Sequence, residues 1–533
     1  MENTEQFLSE SGIPIKGIYT PEDVGDIDYA KDIGLAGEPP FVRGVYSSMY
    51  RGRLWTLRQL SGFDTPEDAN KLFRQEYELG QTGFAVALDI PGEAGIDYDD
   101  PRVSAEVGNA GVPLTSMDDI ESLFRDLPID KVSVYMGTGF APGCALMAMY
   151  FAMAEKRGVD TNQLRGTVCN DIYETSALYV PEKLPPVADL RCAVDMIEWC
   201  SQFTPKWHPV SFDSYNPREN GINAIQELGM LMATVIEYIE EAKRRRRLPL
   251  DQFVRRFSFM TAINNDFFEE IAKLRAARRI WYKIIRERFG IEDPRCWQFR
   301  VHVQSSGSTH TTQEPLNNIM RVAYQMLAAS LGGAQSMHAN SYDEGICLPT
   351  EESRLISIRT GQILQYETNV VNTTDPLGGS WYVEWLTDEI ERRTWEYVQK
   401  IEVMGGMVEA INSGWVHREY RDAIIERERK VSSGESTVVG VNKFRLEKEP
   451  YKVPIFRPNP KSSQAQVEKL KRYKAGRDND QVARALQKLE EVVRSDENIL
   501  PATIEAVKVG VTAGEVTDVV RKVYGLWACP MAV

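Results

Sequence analysis

The sequence predicts an α/β fold: a (β/α)8 TIM barrel preceded by an extended N-terminal arm and followed by a helical C-terminal segment. Three observations carry that expectation. Between residues 55 and 397 short apolar runs alternate with helical patterns, the signature of a parallel sheet with crossover helices. About eight such units over roughly 340 residues suit a closed barrel better than an open sheet. The flanks lack the alternation: residues 1–54 begin poor in periodicity and rich in Gly, Pro and Asp, and residues 398–533 are helical and charged.

Taken in order, the predicted strands include 83–89, 131–135, 164–169, 209–213, 257–260 and 298–303, with helices such as 142–157, 187–200 and 222–246 between them. The strands carry Ser133, Thr167, Ser211, Ser258, His302 and Gln304, where a filled barrel interior prefers Val, Ile and Leu. Such residues either line a ligand route through the barrel or point outward. Beyond residue 397, segments 426–430 and 447–451 read as solvated, and 464–495 as a helical pattern rich in Lys, Arg and Glu. The basic run 242–248 reads as a solvated helix end complementing the helix dipole.

Composition excludes several classes. With 43% hydrophobic and 26% charged residues over 533 positions, the chain is neither disordered nor fibrous. A net charge of −15 argues against a general nucleic-acid binder. No apolar window is long enough for a membrane span, and residues 1–11 lack the basic and apolar regions of a signal peptide. Seven widely spaced cysteines without a CxxC pair fit a reduced, cytoplasmic protein. Five histidines without HExxH predict no metal site.

The local chemistry is sparse in acids and bases. The stretch 137–143 (GTGFAPG) follows a strand and opens a helix, but Pro142 stands where a dinucleotide turn needs its third glycine. Tyr215 and Asn216 directly follow a strand end, where barrels host chemistry. His302 and Gln304 share one strand face. No pair forms a nucleophile–base unit, which fits chemistry carried by a cofactor.

Residues 46–63 (YSSMYRGRLWTLRQLSGF) resemble the TMYxxRPWTxRQYAGF segment of the methylmalonyl-CoA mutase family. Residues 166–172 (GTVCNDI), 272–278 (AKLRAAR), 333–340 (GAQSMHAN), 375–380 (DPLGGS) and 440–443 (GVNK) match further family motifs in order. The resemblance implies an adenosylcobalamin-dependent acyl-CoA mutase whose barrel is threaded by the pantetheine arm of coenzyme A. The reaction it implies is a radical rearrangement of the acyl carbon skeleton. The family's cobalamin domain carries a DxHxxG motif that this sequence lacks. The expectation is therefore a separate small cobalamin-binding subunit, docked by the 398–533 segment in a heterotetramer of two large and two small chains.

Carried over position by position, the resemblance implies CoA contacts at Tyr46, Met49, Arg53, Thr56 and Arg58, and at Thr167, Lys206, Arg256 and Ser258. Tyr215 matches the active-site tyrosine, with Asn216 beside it in the catalytic pair. Gln304, with His302, falls on the adenosyl side. The departures define the expected acyl pocket. Leu60 replaces a tyrosine, Cys169 a glutamine, Tyr179 the carboxylate-binding arginine, Asn216 a histidine, and Ser308 a tryptophan followed by His310. The 2-hydroxyisobutyryl-CoA mutases have an aspartate where this chain has Ala87. A carboxylate without its arginine partner would cost several kcal/mol in a dry pocket. The implied substrate is thus a bulkier branched, aryl or alkyl acyl-CoA. The alternatives are methylmalonyl-CoA with a compensating cation such as His310, or a non-catalytic acyl-CoA-binding partner.

Overall fold

The computed structural model describes residues 7–81, 83–178, 180–457 and 459–530. Its strands are β1 Thr56–Leu57, β2 Leu60–Ser61, β3 Gly83–Val86, β4 Ser133–Met136, β5 Arg165–Val168, β6 Ser211–Asp213, β7 Ser258–Ile263, β8 Val301–Ser305 and β9 Ser336–His338. They pair in parallel in two arcs, β2-β3-β4-β5 and β6-β7-β8-β9-β1. β1 and β2 are halves of one barrel strand that switches partner between Leu57 and Leu60, from β9 to β3. A parallel bridge between Thr167 and His208 closes the other seam, with His208 N–H donating to the Gly166 carbonyl at 2.8 Å. Nine segments, two of them halves of one strand, make the expected eight-stranded ring.

That seam explains a glycine. A Cβ at Gly166 would lie 2.4 Å from the Val134 carbonyl oxygen and 2.6 Å from the Trp207 ring. The glycines of 137–143 have a similar duty. Gly139 is the N-cap of the helix Phe140–Lys156, and a Cβ there would meet the Cys169 carbonyl at 2.6 Å. Close helix–strand packing, not a phosphate, accounts for this turn.

The helix Phe140–Lys156 is buried on every face from Phe140 to Ala154. It is sandwiched between the barrel and the C-terminal helices Ile499–Lys508 and Ala513–Tyr524, which is why its sequence is apolar all round. The basic run closes the helix Ala224–Arg245 and is exposed at Lys243, Arg244, Arg246 and Arg247, as expected of a solvated helix end, but it is also paired. Arg245 donates to Asp195 at 2.7 Å, while Arg247 reaches Asp195 at 3.2 Å and Glu198 at 2.9 Å. Asp195 and Glu198 are buried on the helix Pro186–Phe203 and require those cations.

Residues of the arm clamp onto the barrel helices. Ser11 Oγ donates to Glu269 at 2.8 Å, and Arg278 donates to the carbonyls of Phe41, Val42 and Gly332 at 2.8, 2.6 and 2.6 Å. On the opposite flank, residues 435–457 run without helix or strand over loops that follow barrel strands. There Glu449 accepts from Glu314 N–H at 2.8 Å, and Phe456 N–H reaches Cys347 Sγ at 3.4 Å. Among the described residues no helix is long and apolar enough to cross a membrane.

Candidate active site

A cavity of about 560 Å³ runs along the barrel axis. Of the residues singled out in the sequence, it brings together Tyr46, Met49, Arg53, Thr56, Arg58, Leu60, Ala87, Thr167, Tyr215, Asn216, Ser258, His302 and Gln304. The polar strand residues Ser133 and Ser211 line it as well, so of the two placements the sequence allowed, these side chains take the inward one.

The mouth at the N-terminal ends of the strands is cationic. Arg53 lies there beside Tyr46 and Tyr50, and Arg300 precedes β8. Arg300 Nη2 donates to the Arg255 carbonyl at 2.7 Å and its Nε is buried without a partner, so burial lowers its pKa. Arg58, between β1 and β2, donates to Ser133 Oγ at 2.8 Å, and burial lowers its pKa to about 10. A Cβ at Gly83 would stand 2.9 Å from Arg58 Nε, so only glycine gives the guanidinium this room.

The middle of the cavity is lined by three histidines that burial keeps neutral. His208 and His338 are pushed down to about 3, and burial likewise lowers His302 well below its ordinary value. Their partners set the tautomers. His338 Nδ1 accepts the Leu60 N–H at 2.7 Å, so its proton is on Nε2. His208 Nδ1 lies 2.9 Å from the Arg256 carbonyl, which can only accept, so that nitrogen carries the proton. His302 Nδ1 pairs with Ser336 Oγ at 2.8 Å. Ser258 Oγ donates to the Val210 carbonyl at 2.8 Å and Thr167 Oγ1 to the Val168 carbonyl at 3.2 Å.

The end at the C-terminal ends of the strands mixes apolar and acidic groups. Leu60, Ala87, Leu88, Ala110 and Leu178 form the apolar part. Tyr215 N–H donates to Asp213 Oδ1 at 2.7 Å, and its hydroxyl accepts from Asn340 Nδ2 and Gly307 N–H, each at 3.3 Å. Gln304 Nε2 donates to Asn340 Oδ1 at 3.1 Å, leaving its Oε1 buried and unpartnered. Asn216 Nδ2 donates to Glu174 Oε1 at 2.7 Å. Burial, reinforced by Asp213 and Glu93, holds the Glu174 pKa well above the carboxylate range. Burial likewise raises Glu93 to about 8, and Asp213 to about 7.

Five singled-out residues lie off this lining. Cys169 is fully buried behind it, 4.0 Å from Asp213 Oδ2, and burial raises its thiol well above the usual range, so it is no nucleophile. Lys206 is at the surface, donating to Gln163 Oε1 at 2.5 Å. Arg256 approaches only through its carbonyl contact with His208. Ser308 sits in the loop after β8, its N–H held by Glu219 at 2.5 Å. His310 follows in that loop, with both ring nitrogens buried and unpartnered and its pKa lowered by burial to about 4. Tyr179 lies outside the described residues. The sequence reading missed Glu93, Glu174, Arg300, His208 and His338 as wall residues. Of these only His338 lay in a quoted motif.

A closed parallel barrel bored along its axis, with arginines at one mouth and Tyr215 where the strands end, has the architecture of the barrel enzymes, whose chemistry sits at the C-terminal face. The chain belongs to the methylmalonyl-CoA mutase family, whose model matches residues 8–526. It is 37% identical over 527 residues to the 2-hydroxyisobutanoyl-CoA mutase large subunit of Aquincola tertiaricarbonis, covering 99% of this chain and 93% of that one. It is 39% identical over 515 residues to the methylmalonyl-CoA mutase of Rhizobium meliloti, covering 96% of this chain and 72% of the relative. To the human mitochondrial methylmalonyl-CoA mutase it is 36% identical over 527 residues, or 98% and 70% of the two chains. The chain is thus an isomerase of the cobalamin-dependent acyl-CoA mutase class.

Proposed function

We propose that this chain is the large subunit of an adenosylcobalamin-dependent mutase that rearranges the carbon skeleton of an acyl-CoA bulkier than methylmalonyl-CoA whose acyl group carries no carboxylate. One observation carries the reading. The acyl end of the cavity presents Glu93 and Glu174, while the arginines among the described lining residues, Arg53, Arg58 and Arg300, stand toward the other mouth. A carboxylate there would meet two acids and no cation among the described lining residues, at a cost of several kcal/mol. His310 supplies no substitute, being neutral and off the cavity wall.

The cationic mouth suits the phosphates of coenzyme A, and the neutral middle suits its amide-bearing arm. His338 offers an N–H and His208 a bare Nε2, one donor and one acceptor for amide groups. Gln304, with its unpartnered buried Oε1, and Tyr215 fit the adenosyl side of the cofactor. Adenosylcobalamin, when bound, supplies the radical that removes a substrate hydrogen. The chain's own part is to seat the acyl group, exclude water and hold Tyr215 in place.

A separate small subunit is proposed to carry the cobalamin, in an assembly of two large and two small chains. The A. tertiaricarbonis relative is itself described as a large subunit. The 398–533 segment is the proposed docking element, and its stretch 435–457 leaves Phe444, Leu446 and Ile455 exposed. The test is turnover after anaerobic reconstitution with the cognate cobalamin subunit, over methylmalonyl-, isobutyryl-, pivalyl-, 2-hydroxyisobutyryl- and arylsuccinyl-CoA. Turnover of an acyl group without a carboxylate is expected. Fast turnover of methylmalonyl-CoA would overturn the reading and favour methylmalonyl-CoA mutase activity.

A further inference from the structure

Glu174 and Glu93 reach the acyl end from different elements, the helix Ile172–Ala177 after β5 and the helix Ile90–Ala94 after β3. Glu174 is 4% exposed. Its Oε1 is held by Asn216, and its Oε2 is buried with no hydrogen-bond partner among the described residues. Native proteins seldom leave a buried carboxyl oxygen unsatisfied, because the desolvation of that oxygen goes unrecovered. Here the oxygen belongs to a wall of the cavity, so a ligand can complete it. The titratable groups that act on it are the acids Asp213, Glu93 and Asp171, it acts in turn on neutral Tyr135 and Cys169, and the Lys183 ammonium nearby is turned onto the carbonyls of Thr175 and Ser176 at 3.0 and 3.4 Å.

We propose that Glu174, fixed by Asn216 and faced by Glu93, is a specificity-determining residue that hydrogen-bonds an O–H or N–H group carried on the acyl chain. The proposal rests on the acyl-CoA reading above and narrows it to acyl groups bearing a hydroxyl or an amine. Either substituent satisfies the open oxygen, whereas a methyl group leaves it bare and a carboxylate meets no cation at this wall among the described lining residues.

The experiment is calorimetric binding to the full chain of four acyl-CoA compounds on one carbon skeleton, ending in methyl, hydroxyl, ammonium or carboxylate. Acetyl-CoA serves as reference for the CoA portion. The hydroxyl or ammonium compound is expected to bind at least about tenfold more tightly than the methyl compound, with the carboxylate weakest. Glu174→Leu should bring that ratio to about one while leaving the methyl compound within about twofold. Glu174→Gln separates the two sources: a hydroxyl preference survives the amide, and a preference for ammonium, which needs the charge, is lost. No preference over methyl in the wild type, an unchanged preference in Glu174→Leu, or tightest binding of the carboxylate would each overturn the proposal. Should Glu174→Leu not fold, the wild-type ratio and Glu174→Gln decide. Failure of acetyl-CoA itself to bind would overturn the acyl-CoA reading, and the proposal with it.

Discussion

His338 links the construction of the barrel to its cavity. The barrel strand that begins with β1 leaves β9 after Arg58, whose N–H still donates to the Met337 carbonyl at 3.1 Å. The next ladder N–H available to β9, that of Leu60, goes instead to His338 Nδ1 at 2.7 Å. Replacing His338 by Phe keeps a ring in place but removes the acceptor. The orphaned Leu60 N–H should then destabilise the fold by about 1–3 kcal/mol. His338→Asn places an amide oxygen where Nδ1 stood and should recover most of that loss. Both variants lack the Nε2–H, so both should weaken acyl-CoA binding by about 0.5–1.5 kcal/mol, or roughly two- to twelvefold. Urea unfolding followed by tryptophan fluorescence reads the first effect and calorimetry the second. Equal destabilisation by Phe and Asn would refute the role given to the Leu60 bond. A nitrogen-15 spectrum showing protonated Nδ1 in the wild type would refute the tautomer itself.

Gly166→Ala should destabilise the β5–β6 seam by at least about 1–3 kcal/mol, since the new methyl meets Val134 backbone and the Trp207 ring inside contact distance; an unchanged urea midpoint would contradict the closure described. Arg58→Met should weaken acyl-CoA binding by about 1.5–3 kcal/mol, roughly ten- to 150-fold, while a neutral analogue lacking the phosphates should lose less; equal losses would remove Arg58 from anion recognition. Stability should rise as pH falls from 8.5 to 7. Burial raises Glu93 and Asp171 to about 8 and Asp213 to about 7, so the native state binds protons that the unfolded chain releases, and the stability gained below is lost as pH rises through those values. Glu93→Gln should flatten this slope, and unfolding midpoints that are flat or rise with pH in the wild type would show that these acids are ionised in the fold.

The sequence made the barrel legible wherever a strand was long enough to alternate. The runs at 83–89, 131–135, 164–169, 209–213, 257–260 and 298–303 all hold strands. β1 and β2 have two residues each, too few for a period of two to show, and the segment containing them was readable only through its family motif. The lining of the cavity was half legible: polar residues at strand positions either faced a ligand route or pointed outward, and the barrel turns Ser133, Thr167, Ser211, Ser258, His302 and Gln304 inward. Glu174 and Glu93 were not legible in that way. Each sits on a helix of six residues or fewer just past a strand, where acidic residues near an N-terminus ordinarily read as partners of the helix dipole. Only the three-dimensional approach of the two helix starts shows that these carboxyls share a wall. The basic run 242–248 read correctly as an exposed helix end, but its ion pairs were not legible, because the partners Asp195 and Glu198 lie on a helix some fifty residues earlier in the chain.

The wall chemistry changes along the axis in an order that itself selects a ligand. Arginines Arg53 and Arg300 mark one mouth, neutral His208, His302 and His338 line the middle, and carboxyls held protonated by burial mark the far end. A ligand with an anionic head and an uncharged tail has one favourable direction of entry, head at the arginines and tail toward Tyr215. Reversal would set the anion against Glu93 and Glu174. A ligand anionic at both ends finds no cation for its tail among the described lining residues, whichever way it enters. The acids therefore act on orientation as well as on identity: held neutral they give an anion no partner cation, and raising the pH until they ionise adds a repulsion that Glu93→Gln with Glu174→Gln would remove. On this argument the double variant should narrow the affinity gap between a carboxylate-tailed acyl-CoA and its methyl isostere above about pH 8, where Glu93 ionises in the wild type. An unchanged gap would place the source of discrimination elsewhere in the wall.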